Sequence, residues 1–266
     1  MHTIYYCFPQ GKNKVLTMSY DDAKVQDQRL IQLFNKFHIK GTFHINGGWI
    51  GNEGNIGRES ITSLYKGHEI ACHTFTHPTL ERCPKEQIIQ QVFKDREILE
   101  EIIDKPVRGL SYPNGSYNEE IKKLLPYLGI AYARTVHSTR KFEMPNDWLE
   151  WNPTCHHNEE IMEFARRFVE IQKRQYIYLL YVWGHSYEFD RDNNWHVIEE
   201  FCEYVSNRED IWYATNIEIV DYLKAVHGLV YTVKGDKVYN PSTIDVWLSV
   251  DDKIIKAKGG EYTRLY

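Results

Sequence analysis

Short apolar runs alternate with amphipathic segments along most of the chain, and this alternation restricts the fold more than any other feature. Apolar runs such as Val15–Tyr20 and Thr42–Ile45 predict strands, and helical spacing of apolar residues predicts a long helix over 85–103. Strands that alternate with helices favour parallel βα units. No G-x-G-x-x-G follows the first strand, which disfavours an open dinucleotide-binding sheet. The number of units predicts a closed or distorted (β/α) barrel over residues 1–228.

The pattern changes after Gly228. Residues 229–266 show short alternating runs separated by turns at Gly235-Asp236 and Asp251-Asp252. This segment predicts a small C-terminal β-hairpin extension that packs on the barrel.

Composition narrows the possible partners. The chain has 32 Lys and Arg against 37 Asp and Glu, a formal net charge of −5, which argues against a dedicated nucleic-acid binder. Its longest apolar run is far shorter than the roughly 18–20 residues of a membrane span. The N-terminus shows no secretory signal, so we expect a cytoplasmic protein. The five cysteines are odd in number and widely spaced, which predicts free thiols. The sequence does not indicate an oligomeric state.

Polar residues follow several predicted strands at their carboxyl ends, where βα barrels build their sites. Asp21 and Asp22 end the first strand, His73 follows another with His77 four residues on, and His185 ends the run that begins near Tyr176. Each feature alone has a plainer interpretation: a solvated acidic turn, a capping or exposed histidine, or a core histidine. Together they predict a metal site, because two imidazoles and one carboxylate leave a zinc-like ion one position for water.

Aromatic residues make up 14% of the chain. Tyr112 and Trp183 flank the predicted site residues and could stack on a sugar ring, although most aromatic side chains serve the core. His44 and the pair His156-His157 could line the same site, or could be hydrogen-bonded loop histidines.

Three segments resemble the polysaccharide deacetylases of the NodB-homology type, carbohydrate esterase family 4. Residues 19–23, Ser-Tyr-Asp-Asp-Ala, are similar to the family's Thr-Phe-Asp-Asp-Gly motif. Residues 67–77, Gly-His-Glu-Ile-Ala-Cys-His-Thr-Phe-Thr-His, are similar to its H-[ST]-x-x-H motif and the strand before it. Residues 41–46 resemble the strand between these two motifs. The resemblance runs from about residue 14 to residue 227 and implies a distorted, TIM-like barrel of a divergent branch.

The resemblance also implies roles for particular residues. Asp21 would be the general base and His185 the general acid, with Asp22, His73 and His77 as ligands of one divalent ion. Zinc is the expected ion, and cobalt, nickel or iron could use the same ligands. The implied reaction is hydrolysis of an N-acetyl group on an acetamido sugar, oligosaccharide or polysaccharide.

The chain departs from the family at several positions. Pro113-Asn114-Gly115 replaces Pro-Tyr-Gly, so Asn114 takes the oxyanion position, which a backbone amide can fill. The Arg of that motif falls on Ser111, and Arg108 is either a shifted partner of Asp21 or a surface ion pair. Ala23 in place of Gly predicts a turn that avoids positive φ. Asp147 is a candidate carboxylate partner of His185.

These departures leave two other functions open. One is a non-catalytic glycan-binding relative that has kept its metal. The other is an amidase that cleaves a C–N bond outside sugars.

Overall fold

Eight parallel strands form one curled sheet in the computed structural model, which describes residues 2–266. Its order is β6-β5-β4-β3-β2-β8-β7, and β9 also pairs with β2. The strands are β1 (Ile4–Cys7), β2 (Lys14–Asp21), β3 (Gly41–Ile45), β4 (Glu69–Cys72), β5 (Gly109–Ser111), β6 (Tyr132–Arg134), β7 (Cys155–His156), β8 (Tyr178–His185), β9 (Ile211–Tyr213), β10 (Val230–Tyr231), β11 (Lys237–Tyr239), β12 (Val246–Val250), β13 (Lys253–Ala257) and β14 (Tyr262–Arg264). The helices are α1 (Asp27–Lys36), α2 (Arg58–Leu64), α3 (Lys85–Ile103), α4 (Glu119–Leu124), α5 (Ile161–Val169), α6 (Tyr187–Arg191), α7 (Trp195–Val205) and α8 (Asn216–His227).

The segment between β6 and β8 joins the two ends of the sheet. The Trp151 amide donates to the carbonyl of Ala133 at 2.9 Å, and the Thr154 amide donates to the carbonyl of Tyr181 at 2.8 Å. The hydrogen-bonded strands therefore run around the molecule, and the predicted distorted (β/α) barrel is confirmed.

The two faces of β2 differ in polarity because successive side chains of a strand point to opposite sides. One face packs into the hydrophobic core through Leu16, Met18 and Tyr20. On the other face, Ser19 lies with its hydroxyl 3.2 Å from Nδ1 of His44, and Asp21 follows it at the end of the strand. Both faces of β2 are buried. Because one of them carries Ser19 and Asp21, polar side chains line the interior near the carboxyl end of the barrel.

The C-terminal segment contains five strands in two antiparallel sheets. β12 lies between β13 and β1, with Ile4 paired to Val250, so the start of the chain belongs to the same sheet as its end. β10, β11 and β14 form the other sheet. Leu248 lies in one buried cluster with Tyr222 of α8 and Phe8. The division at residue 228 stays a prediction.

None of the helices within residues 2–266 combines the length and the apolar character that crossing a membrane requires.

Candidate active site and metal centre

The predicted site residues gather at the carboxyl edge of the barrel. Asp21, the last residue of β2, is paired in register with His44 of β3 and His185 of β8. His73 follows β4, which is the next strand beyond β3. The order of the strands thus brings together residues that are up to 164 positions apart in the sequence.

Asp22, His73 and His77 form a group that could hold a metal ion. One ligand atom from each residue lies within 4.8 Å of the other two. Oδ1 of Asp22 is buried without a hydrogen-bond partner and lies 3.7 Å from Nε2 of His73. An unpartnered carboxylate oxygen beside two imidazoles fits a divalent cation with nitrogen and oxygen ligands.

The tautomer of His73 suits this role. Its Nδ1 lies 2.9 Å from the carbonyl oxygen of Ser111, to which Nδ1–H can donate. The lone pair of Nε2 is then directed toward Asp22 and His77, as in metal-binding histidines held by a backbone carbonyl. Burial lowers the pKa of His73 to about 3, so the ring is neutral at pH 7.

The turn after β2 differs from the prediction. Asp22 and Ala23 both adopt positive φ, 78° and 49°, so the expectation that Ala23 avoids this region is wrong. Backbone hydrogen bonds hold the turn: the Asp22 amide donates to the carbonyl of His44 at 3.0 Å, and the Ile56 amide donates to the carbonyl of Ala23 at 2.9 Å. These bonds offset the local cost of left-handed backbone. The same turn places the Asp22 carboxylate beside His73.

Asp21 is surrounded by buried partners. Arg134 donates to its Oδ2, Ser111 donates to its Oδ1 at 3.2 Å, and Nδ1 of His44 lies 3.3 Å from Oδ1. Burial opposes ionisation, but the Arg134 guanidinium holds the pKa of Asp21 well below its ordinary value. The side chain is therefore a carboxylate at neutral pH.

Arg134 occupies the place expected of an arginine near Asp21, whereas Arg108 does not. Arg108 forms a two-pronged ion pair with Asp221 of α8, with both contacts at 2.8 Å. The sequence motifs do not single out Arg134. One signal is present in the sequence: Arg134 directly follows the short apolar run 130–133, as Asp21 follows the run 15–20.

His185 has a carboxylate partner, Glu188, in place of the predicted Asp147. Oε2 of Glu188 lies 3.5 Å from Nδ1 of His185 and accepts a hydrogen bond from its backbone amide at 3.2 Å. Burial works against the charged form, but Glu188, Asp21 and Asp22 raise the pKa of His185 above its ordinary value. Asp147 lies elsewhere, bonded to the Leu149 amide and to Lys122.

The three predicted substrate contacts have different surroundings. Asn114 is exposed at a φ of 58°, and its amide donates to the Thr79 hydroxyl at 3.1 Å. Tyr112 is only 1% exposed and donates its hydroxyl to a backbone carbonyl, so its ring offers no face to a sugar in this structure. The indole of Trp183 packs on the Arg134 guanidinium, with 4.4 Å between the guanidinium carbon and the ring centroid. Trp183 therefore supports the arginine beside Asp21.

Fold and site together define a (β/α) barrel with a candidate metal centre at the carboxyl ends of its strands. Residues 9–133 match the family described as polysaccharide deacetylase. The matched segment, just under half of the chain, is similar to the polysaccharide deacetylase family, and the barrel has the fold of solved polysaccharide deacetylases. No curated protein matches the chain in sequence.

Solved structures share the fold at low sequence identity. A Mycobacterium smegmatis protein assigned to the polysaccharide deacetylases is 19% identical, with a TM-score of 0.63 over 85% of this chain and 96% of its own. The CE4 domain of a multidomain xylanase, from the hindgut metagenome of Trinervitermes trinervoides, is 13% identical, with a TM-score of 0.55 over 80% of this chain and 92% of its own.

One similar structure belongs to a protein without native activity. A CE4-family pseudoenzyme from Bacillus anthracis, in a mutant with restored activity, is 18% identical, with a TM-score of 0.51 over 82% of this chain and 70% of its own. Similarity to the family therefore does not by itself establish catalysis, and the side chains of this site have to be considered individually.

Proposed function

We propose that the chain is a metal-dependent hydrolase that removes N-acetyl groups from an acetamido sugar, oligosaccharide or polysaccharide. One observation carries the proposal. Oδ2 of the ionised Asp21 lies 3.7 Å from Nε2 of His73, a member of the group Asp22, His73 and His77, and Asp21 is paired in register with His185 on the neighbouring strand β8. A base, a metal-binding group and an acid within one polar barrel mouth are the components that amide hydrolysis needs.

Asp22, His73 and His77 would hold the metal, for which zinc is the first expectation. When bound, such an ion supplies a Lewis acid that polarises the amide carbonyl and lowers the pKa of water. The Ser111 carbonyl keeps the His73 ring in the tautomer and orientation that binding requires.

Asp21 would accept a proton from the attacking water. Arg134 keeps its carboxylate ionised, and Ser111 and His44 contact its other oxygen and fix its orientation. These contacts support a general base that is ready to act without rearrangement.

His185 would donate a proton to the nitrogen of the departing amine. Amines leave poorly without protonation, so the reaction needs an acid that is charged near neutral pH. The elevated pKa of His185, which Glu188 and the two aspartates raise against the effect of burial, supports this role.

The test measures acetate released from N-acetylated chito-oligosaccharides by the full chain loaded with one equivalent of Zn²⁺. We expect release by the wild type, and loss of release in both Asp21→Asn and His77→Ala, the latter because the group Asp22, His73 and His77 no longer holds its metal. Asp252→Asn, in an exposed turn of the C-terminal segment, is the matched control and is expected to remain active.

Two outcomes would contradict the proposal. Oligosaccharide binding without acetate release would favour a glycan-binding protein. The pseudoenzyme among the similar structures is an example of a protein with this fold that lacks activity. Hydrolysis of cyclic or linear amides with none of acetamido sugars would favour an amidase.

A further inference from the structure

A second group of possible metal ligands surrounds Glu188. Its Oε2 lies 3.0 Å from Nε2 of His156 and 3.3 Å from Nε2 of His157. One ligand atom from each of the three residues lies within 4.8 Å of the other two. Ligands of a tetrahedral zinc ion lie about 3.3 Å apart, given Zn–N and Zn–O distances of about 2.0–2.1 Å. The two contacts therefore match the spacing of a zinc site.

His157 is held in a fixed place within this group. The residue is 1% exposed, and its ring stacks on Phe189 and Tyr20 at centroid distances of 4.2 and 5.7 Å. Gly184 makes the space, since a Cβ there would lie 2.0 Å from Nδ1 of His157.

Both ring nitrogens of His157 are buried without a hydrogen-bond partner. A buried polar atom that lacks a partner costs about 1–3 kcal/mol. Coordination of a cation by Nε2 would remove part of this cost. The ring of His157, oriented toward Glu188 with unpartnered nitrogens, thus points to a bound ligand. This observation is independent of which residue types make up the cluster.

The charge states suit a cation. Burial and the neighbouring His156 lower the pKa of His157 to about 3, so the ring is neutral and keeps a lone pair for a metal. Burial works against ionisation of Glu188, but His156 and His185 hold its pKa below the ordinary value. Two imidazoles and one carboxylate form a common ligand set for zinc, with a fourth position left for water.

We propose that His156, His157 and Glu188 form a second site for a divalent transition metal, which takes Zn²⁺ supplied beyond the first equivalent. A consequence rests on the proposed function. Oε2 of Glu188 is also the oxygen 3.5 Å from Nδ1 of His185. An oxygen that coordinates a cation no longer serves His185 as its negative partner. Zinc at the second site is therefore expected to inhibit deacetylation.

The experiment counts Zn²⁺ bound per full chain by equilibrium dialysis, with acetate release measured on the same samples. We expect two ions in the wild type, one in His156→Gln, one in His77→Ala and none in the double variant. His196→Gln, an exposed histidine on α7, is the matched control and should bind two. Wild-type activity should be highest at one equivalent and fall at two, and His156→Gln should not show this fall.

Other results would overturn the inference. One ion in the wild type, or two ions still bound by His156→Gln, would exclude the second site, and unchanged activity at two equivalents would exclude inhibition. If circular dichroism shows that His156→Gln does not fold, the number of Zn²⁺ ions bound by His77→Ala tests the site instead. One bound ion would support the second site, and none would overturn it. Two bound ions without acetate release at any ratio would overturn the proposed function and leave the second site in place.

Discussion

Arg134 of β6 and Asp21 of β2 form a buried ion pair between strands that are not neighbours in the sheet. Neither side chain is more than 2% exposed. A guanidinium keeps its charge under all ordinary conditions and holds a carboxylate in a defined plane. The pair therefore fixes both the charge and the orientation of the proposed general base.

Arg134→Lys is expected to lower kcat for acetate release by about 10²-fold, within the range of a general base contribution. The variant keeps a positive charge but loses the planar contact with Asp21, so the pKa of Asp21 should rise. Because the base must be ionised, the acid limb of the kcat/KM profile should move to higher pH. Arg108→Lys, whose arginine pairs with Asp221, is the control and should leave the profile unchanged. A profile that does not move in Arg134→Lys would contradict the role of Arg134.

The residues that sequence reasoning located are those with a local signal. Asp21, Asp22 and His73 follow apolar runs directly, and their neighbourhood at the barrel mouth follows from the parallel arrangement of strands. The contact of Arg134 with Asp21 depends on two strands 113 residues apart facing each other across the interior. The residues around position 134 indicate the end of a strand, but they do not indicate which residue Arg134 contacts.

The backbone conformation of Ala23 and the partner of His185 also differ from the sequence-based predictions, and both differences have a physical cause. The positive φ of Ala23 results from a hydrogen bond with Ile56, a residue 33 positions away, which outweighs the local preference. Glu188 lies on the five-residue helix α6, which is too short to give a periodic signal. Its partnership with His185 therefore became apparent only from the structure.

Glu188→Gln is expected to lower the pKa of His185, because the substitution removes one of the negative charges that raise it. A general acid must be protonated, so the alkaline limb of the kcat profile should move to lower pH, with a smaller kcat at pH 8 than the wild type. The measurement is a pH series of acetate release with one equivalent of Zn²⁺ in every sample. Glu200→Gln, an exposed glutamate on α7, provides the control. An alkaline limb that stays in place would separate Glu188 from the function of His185.

Gly184→Ala is expected to destabilise the fold although alanine ordinarily suits a strand better than glycine. The new Cβ would lie 2.0 Å from Nδ1 and 2.4 Å from Cε1 of His157, whose ring is stacked and cannot easily shift. Overpacking of this kind costs about 1–3 kcal/mol, which urea unfolding would measure as a lower midpoint. Gly228→Ala is the control, since its Cβ would meet no atom closer than 3.2 Å. Equal stability of Gly184→Ala and the wild type would show that His157 can move.

Asp27→Asn should flatten the pH dependence of stability between about pH 4 and pH 7. Asp27 lies buried in the first turn of α1, where it accepts hydrogen bonds from Tyr65 at 2.7 Å and Ser186 at 2.5 Å, and burial raises its pKa to about 7. Below about pH 4 the carboxyl is protonated in both the folded and the unfolded chain. Between the two pKa values the unfolded chain has lost this proton while the folded chain keeps it, so the free energy of unfolding falls as pH rises, by at most about 1.4 kcal/mol per pH unit. Above pH 7 the contribution is constant. Urea unfolding from pH 4.5 to 7.5 should therefore give plots of unfolding free energy against pH that differ in slope between the wild type and Asp27→Asn. The control Asp252→Asn should give a plot parallel to that of the wild type. A parallel plot for Asp27→Asn would mean that Asp27 is ionised in the folded protein throughout this range.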